Sequence, residues 1–274
     1  MKLTVLVDNS TLTGSQYYGE PGLSYYIEDN DTKILFDTGY SDIFLHNSLK
    51  MNISLNELDY LVISHGHDDH NRGLKYLIEY FQKTKVNKKP TYISHPLVFT
   101  PRVLDSKNIN YVVEKSLLEQ NLSINLSSTP IWLNKNIVYL GEIRRRHPFE
   151  NNHPIGKKII DKGESDDFLY DDSALVYKSN KGLVIITGCS HSGICNIIDQ
   201  AIEVCGDNRI LDIIGGFHLL NPSEEQISKT VEYIASMHPK ALHACHCTDL
   251  SSKIKLSSSA PLKEVGVGLK LEYI

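Results

Sequence analysis

The sequence predicts an α/β protein with mixed sheets and helices packed outside them. Two patterns lead there. Short apolar runs bounded by turn residues come first in succession and later alternate with helical patterns. Three segments carry apolar residues at i, i+3, i+4 spacing, the mark of a helix with one buried face. At roughly 150 residues per domain, 274 residues allow one large domain or two small ones.

The expected strands are Leu3–Val7, Ser24–Ile27, Ile34–Phe36, Leu61–Ile63, Thr91–Ser94, Ile137–Leu140, Ala174–Tyr177, Leu183–Thr187, Ile210–Ile214 and Ala241–Ala244. Ala174–Tyr177 and Leu183–Thr187, joined by Lys178-Ser179-Asn180-Lys181-Gly182, read as a hairpin. The helical stripes are Leu74, Leu77, Ile78 and Phe81; then Ile194, Ile197, Ile198, Ala201 and Ile202, with Gly206 as a stop; then Ile227, Val231 and Ile234. Ser223 followed by Gln226 opens the third as a capping box. Residues 87–90 and 147–172 are polar and rich in turn formers and read as loops.

A net charge of −5 argues against a nucleic-acid binder. No apolar run approaches the ~20 residues of a membrane span, and Leu3–Val7 is too short for a signal-peptide core. Cys189, Cys195, Cys205, Cys245 and Cys247 are an odd set confined to the last third, read as reduced thiols of a cytoplasmic protein.

Ile63-Ser64-His65-Gly66-His67-Asp68-Asp69-His70 is the strongest chemical signal. It stands in a turn between a strand and a helix. In extended chain His65 and His67 share a face, and Gly66 between them leaves room for close approach. Asp69 and His70 are adjacent, so they diverge and suit a different ion. Imidazole binds zinc, iron and similar ions, and a carboxylate binds or bridges them. Two ions ~3.5–4 Å apart share a hydroxide and stabilise a displacement at phosphorus or carbon. The competing structural reading is a solvated helix N-terminus, where Asp is favoured. It does not account for three His and two Asp within six positions.

Three later strands also lead into a histidine: His191 after Leu183–Thr187, His218 after Ile210–Ile214, and His246 after Ala241–Ala244. Open α/β sheets keep their sites at such carboxyl ends. The recurrence favours His191 and His246 as metal ligands. His218 is open between proton donor, substrate contact and ligand.

His65-x-His67-x-Asp69-His70, with Phe36-Asp37-Thr38-Gly39 upstream, resembles the metallo-β-lactamase superfamily. Glu20-Pro21-Gly22-Leu23-Ser24, Gly141-Glu142-Ile143, Thr187 to Gly193, Ile214 to His218 and His246-Cys247-Thr248 narrow the resemblance. They point to the group named after the dihydropterin ribofuranosyl-aminobenzene phosphate synthase. The resemblance runs nearly end to end and implies a single domain over residues 1–274, a four-layer αββα sandwich. It implies two divalent ions, zinc first and manganese, iron or magnesium as alternatives. His65, His67 and a third histidine would hold one ion; Asp69, His70 and His246 would hold the other. In the family a His precedes the hairpin and an Asp follows it in a Gly-Asp turn. Here Asp171-Asp172 precede it and Gly188-Cys189 follow. His191 is taken as the substitute ligand; Cys189 is a thiolate ligand, a small buried residue or a spare, with the non-ligand readings preferred because a bound thiolate would favour zinc strongly.

The implied activity is a metal-dependent hydrolase, phosphodiesterase-like, acting on a small anionic, phosphorylated molecule. Asp69 would orient the nucleophile and His218 would assist the leaving group. Glu20, His95 and Arg144 are candidate substrate contacts, arginine because it grips phosphate bidentately. Alternatives are a transferase releasing pyrophosphate and a non-catalytic metal or ligand sensor. The expected partner is a small molecule, with neither nucleic acid nor membrane; the oligomeric state is not legible.

Overall fold

The first apolar run becomes the strand Lys2–Val7, buried from Leu3 onward. It pairs antiparallel with Ser24–Asp29, with a register shift between Val5 and Val7. That strand turns through Asn30, at φ 54°, into Thr32–Phe36. From there the pairing is parallel, through Tyr60–Val62, Thr91–Ser94 and Ser123–Leu126. Parallel neighbours cannot be joined by a tight turn, so each crossover carries a helix. These helices are Ile43–Lys50, Leu74–Thr84 and Lys115–Asn121. Leu74, Leu77, Ile78 and Phe81 are the buried face of the second, the stripe read from sequence. With Lys270–Glu272 on its far edge, this mixed sheet has seven strands.

The computed structural model describes residues 1–274 except Asn87, Val112, Asn151, Asn152 and Lys162, so the two stretches expected as loops lie partly outside the described residues. The chain divides into two compact units. The first comprises Met1–Ser127, Ile155–Asp167 and Gly266–Tyr273. It contains the seven-stranded sheet and a four-stranded sheet of Gly163–Asp166, Lys157–Ile160, Arg102–Leu104 and Lys107–Asn108. Part of the stretch expected as loop is therefore a hairpin, Lys157–Ile160 with Gly163–Asp166. The loop reading missed it because its burial pattern is almost wholly exposed. Beside that sheet, Arg102 and Asp167 form an ion pair at 2.5 Å, both nearly inaccessible to water.

The second unit comprises Ser128–Pro154 and Phe168–Val265, with Ile274. Its six-stranded sheet runs Ala241–Cys245, Ile210–Gly216, Gly182–Thr187, Ala174–Ser179, Ile137–Tyr139, Ile131–Trp132. The hairpin is tighter than the sequence suggested: the ladder extends to Ser179↔Gly182, leaving only Asn180 and Lys181 in the turn. Ser179 Oγ donates to Gly182 O and accepts from Lys181 N, closing it locally. Ile194–Cys205 and Glu224–Met237 are the crossover helices of the parallel half. Ser223 caps the latter, accepting from Gln226 N at 3.1 Å. A short helix, Leu250–Leu256, was not expected, because Leu250 and Ile254 point to solvent and the apolar spacing is absent. Among the described residues no helix is long and apolar enough to cross a membrane.

The helix Ile194–Cys205 begins at Gly193, which supplies no side-chain cap. Glu150 caps it instead, from 45 residues upstream: Oε1 accepts from Cys195 N and Oε2 from Asn196 N, each at 2.9 Å. A Cβ on Gly193 would stand 2.2 Å from the Glu150 carboxylate, so glycine is required for the approach. Burial raises the Glu150 pKa, and the two amide donors act against it. Glu150→Ala strands two buried helix N–H groups and should cost about 2–4 kcal/mol in urea unfolding. A change below ~0.5 kcal/mol, typical of ordinary surface positions, would mean that water satisfies them equally well.

Candidate metal centre

In the first unit, the parallel register Phe36↔Val62 places the two strand ends together. Asp37, one residue past the first strand, donates its backbone N–H to Val62 O at 2.9 Å. Its carboxylate then receives Ser64 twice, at Oδ1 from the backbone N–H and at Oδ2 from the hydroxyl, both at 2.7 Å. His70 Nδ1 approaches the same Oδ2 at 2.7 Å. These bonds assign tautomers. The single hydroxyl proton of Ser64 goes to Asp37, so Ser64 Oγ accepts from His65 Nδ1, 2.9 Å away. With Nδ1–H engaged in both His65 and His70, each ring presents its Nε2 lone pair.

The segment after Ser64 stays extended up to His67, which has φ −69° and ψ 148° and starts the short helix Asp68–Asn71. His65 and His67 share a face, their ring centroids 4.8 Å apart, and His65 lies 4.3 Å from His70. Asp69 Oδ2 stands 3.8 Å from His70 Nε2. Burial pushes the His67 pKa down to about 3, against the opposing charge of Asp69, so the ring is neutral, the form that binds metal. Gly66 is obligatory: a Cβ there would lie 2.2 Å from the Arg102 guanidinium and 2.5 Å from Val98 O.

In the second unit the strand Gly182–Thr187 runs into Gly188-Cys189-Ser190-His191. Ser190, at φ 60°, donates its hydroxyl to Gly216 O at 2.6 Å. Asp172 Oδ2 accepts from Ser192 N at 2.8 Å and Ser192 Oγ at 2.6 Å, which fixes the residue after His191. His218 follows the strand Ile210–Gly216, and its ring lies 4.3 Å from that of His191. His246 follows Ala241–Cys245. Cys189 Sγ lies within 4.8 Å of a ring nitrogen of His191, and within 4.8 Å of a ring nitrogen of His246. Cys189, whose ligation the sequence left open, is thus among the candidate donors. The signal for it was its place in the turn after the hairpin, where the family pattern carries Asp.

The three candidate substrate contacts each have local partners. Glu20 Oε1 accepts from Tyr40 N and Ser41 N at 3.0 Å, and its Oε2 from Ser41 Oγ at 2.6 Å. His95 Nδ1 accepts from Leu97 N at 3.2 Å, opening the short helical turn Pro96–Phe99. Arg144 pairs with Glu203 at 2.8 Å, and its side chain is 69% exposed.

Within the first unit, the His65, His67 and His70 rings with the Asp69 carboxylate beside them fit a borderline-soft divalent ion. Because Asp37 orients the first set, Asp37→Asn should weaken metal binding ten- to a hundredfold in a chelator competition. Unchanged affinity would remove Asp37 from the account.

A family model described as the metallo-beta-lactamase superfamily matches residues 17–99. The uncharacterized protein MJ0448 of Methanocaldococcus jannaschii is 31% identical over 260 residues, covering 93% of each chain. The 7,8-dihydropterin-6-methyl-4-(beta-D-ribofuranosyl)-aminobenzene-5'-phosphate synthase of the same organism is 29% identical over 267 residues, 92% of this chain and 89% of that protein. The crystal structure of Tm1679, described as a metal-dependent hydrolase of the beta-lactamase superfamily, matches with a TM-score of 0.85 and 28% identity. It covers 100% of this chain and 99% of that one. The α/β architecture, the histidine-rich turn and these relatives agree: the chain belongs to the metallo-β-lactamase superfamily, whose members are metal-dependent enzymes.

Proposed function

We propose that the chain is a binuclear metal-dependent hydrolase of a small anionic, phosphorylated substrate. In this reading residues 1–274 act as one functional domain. His65, His67 and His191 hold one divalent ion, and Asp69, His70 and His246 hold the other. The observation that carries the reading is the Asp37 carboxylate, which engages Ser64 and, with it, the Nδ1 sides of His65 and His70. Buried imidazoles whose ring orientations are fixed in this way are pre-organised to take up a cation.

Divalent ions in such a set lower the pKa of water toward neutrality and draw charge from a phosphoryl or carbonyl oxygen. The protein's own groups do the rest. Asp69, whose side chain is 29% exposed, accepts a hydrogen bond from the attacking water and orients it. His218, beside His191, donates a proton to the leaving oxygen. A phosphorylated substrate is supported by the relative named for a 5'-phosphate product. The reading includes a cytoplasmic setting and a small-molecule partner, with neither nucleic acid nor membrane. The acidic charge balance and five cysteines outside any disulfide support this.

A second reading is a transferase that releases pyrophosphate, favoured by the 29% identity to the named synthase over nearly the whole chain. Turnover separates the two. Hydrolysis of a generic phosphodiester, phosphomonoester or lactone supports the first. Pyrophosphate release that requires a second organic substrate supports the second.

Protein purified without chelator should hold about two ions per chain, and His67→Ala or His191→Ala about one. Wild-type protein that holds none and takes up none would end the metal-enzyme reading. With metal retained, Asp69→Asn should lower kcat by about 10²–10⁴. A smaller loss would take Asp69 out of the chemistry.

A further inference from the structure

Of the six arginines, four meet a carboxylate. Arg102 meets Asp167, Arg144 and Arg146 share Glu203, and Arg209 meets Asp207. Arg145 is held by the carbonyls of Phe168 and Leu169. Arg72 differs. Among the described residues its guanidinium forms no ion pair, and it donates to a phenol, Tyr40 Oη, at 2.5 Å. The guanidinium carbon lies 4.4 Å from the centroid of the same ring. Asp68, one turn earlier, feels the Arg72 charge without pairing with it.

Lys75 repeats the arrangement. Its ammonium stands 4.5 Å from the centre of the Tyr76 ring and 5.5 Å from that of Tyr111. Glu79, at the i+4 position suited to neutralise it, pairs with Lys83 at 4.0 Å instead. Arg72 and Gly73 both hold helical dihedrals, so the chain runs helically from Asp68 into Leu74–Thr84. Arg72 and Lys75, three apart, are therefore neighbours on the helix surface, and both are half-buried. Backbone bonds tie this stretch to the histidine turn. Thr38 N and Thr38 Oγ1 both donate to His70 O, at 2.7 and 3.0 Å. Gly73 N donates to Gly39 O at 3.0 Å, which brings Tyr40 beside Arg72.

We propose that Arg72 and Lys75 form an anion-binding rim that takes up a phosphate group of the substrate, with Tyr40 as the positioning residue that holds the guanidinium. This rests on the hydrolase reading above and adds to it the side chains that recognise the phosphate. A guanidinium carries five N–H donors in a rigid fork, and Tyr40 engages that of Arg72 without neutralising it. A ring beneath each cation fixes it in place while leaving its charge available. A phosphate monoester accepts from arginine bidentately and meets lysine as a point charge. In a chain with a net charge of −5, two neighbouring cations left without carboxylate partners favour such an anion locally.

The test is calorimetric titration of the metal-replete full chain with phenyl phosphate, with bound metal and the urea midpoint measured for each variant. Arg72→Ala should raise the Kd roughly tenfold or more, and Lys75→Ala should raise it in the same direction. Both should keep their metal and their midpoint. Arg209→Ala, which removes an equal charge elsewhere, should leave the Kd unchanged. Tyr40→Phe should raise the Kd alone and add nothing in the Arg72→Ala background, the mark of a residue acting through Arg72; an additive effect would remove Tyr40 from that role. A Kd within about threefold of wild type in the Arg72→Ala/Lys75→Ala double variant would overturn the rim, since such a change is too small for a lost charge-assisted contact. So would an equal loss in Arg209→Ala, or metal-replete wild type that does not bind phenyl phosphate. If wild type takes up no metal but binds phenyl phosphate through Arg72, the hydrolase reading falls and the anion site stands.

Discussion

Asp37 sits out of reach of water with its backbone at φ 57°, and the donors of Ser64 and His70 converge on its carboxylate. An unpaired carboxylate in that position would cost several kcal/mol, and the backbone conformation costs about 1–3 kcal/mol more. The structure sustains both because the parallel ladder brings Phe36 and Val62 into register and delivers Ser64 to the carboxylate. Sheet register, a carboxylate and two imidazole tautomers are thus links in one chain. A slip of register would misplace Ser64 and release His65 and His70 together.

The second unit achieves its donors by a different route. Its parallel strands pair Ile186↔Ile214 and Gly216↔Cys245, so their carboxyl ends terminate on one edge. The residues that follow leave the sheet abruptly. Ser190, His218 and His246 all adopt φ between 50° and 60°. His enters this region more readily than most residues, and each such turn takes the chain sharply off the end of its strand. Gly216 permits the crowding: a Cβ there would meet Cys247 Sγ at 2.4 Å and Gly188 O at 2.7 Å.

The His65-to-His70 turn was legible because its donors are nearly consecutive and need only an extended segment to share a face. The helix stripes were legible for a similar reason, since amphipathic spacing is local. What escaped depends on distant partners or on weak patterns. Arg144 pairs with Glu203, 59 positions away, a partner that no local pattern announces. Glu20 likewise meets Tyr40 and Ser41 only once the chain has folded. The hairpin Lys157–Ile160 with Gly163–Asp166 is too polar to signal a strand. Cys189 has ordinary neighbours in sequence. Its environment arises only when Gly182–Thr187, Ile210–Gly216 and Ala241–Cys245 pair side by side.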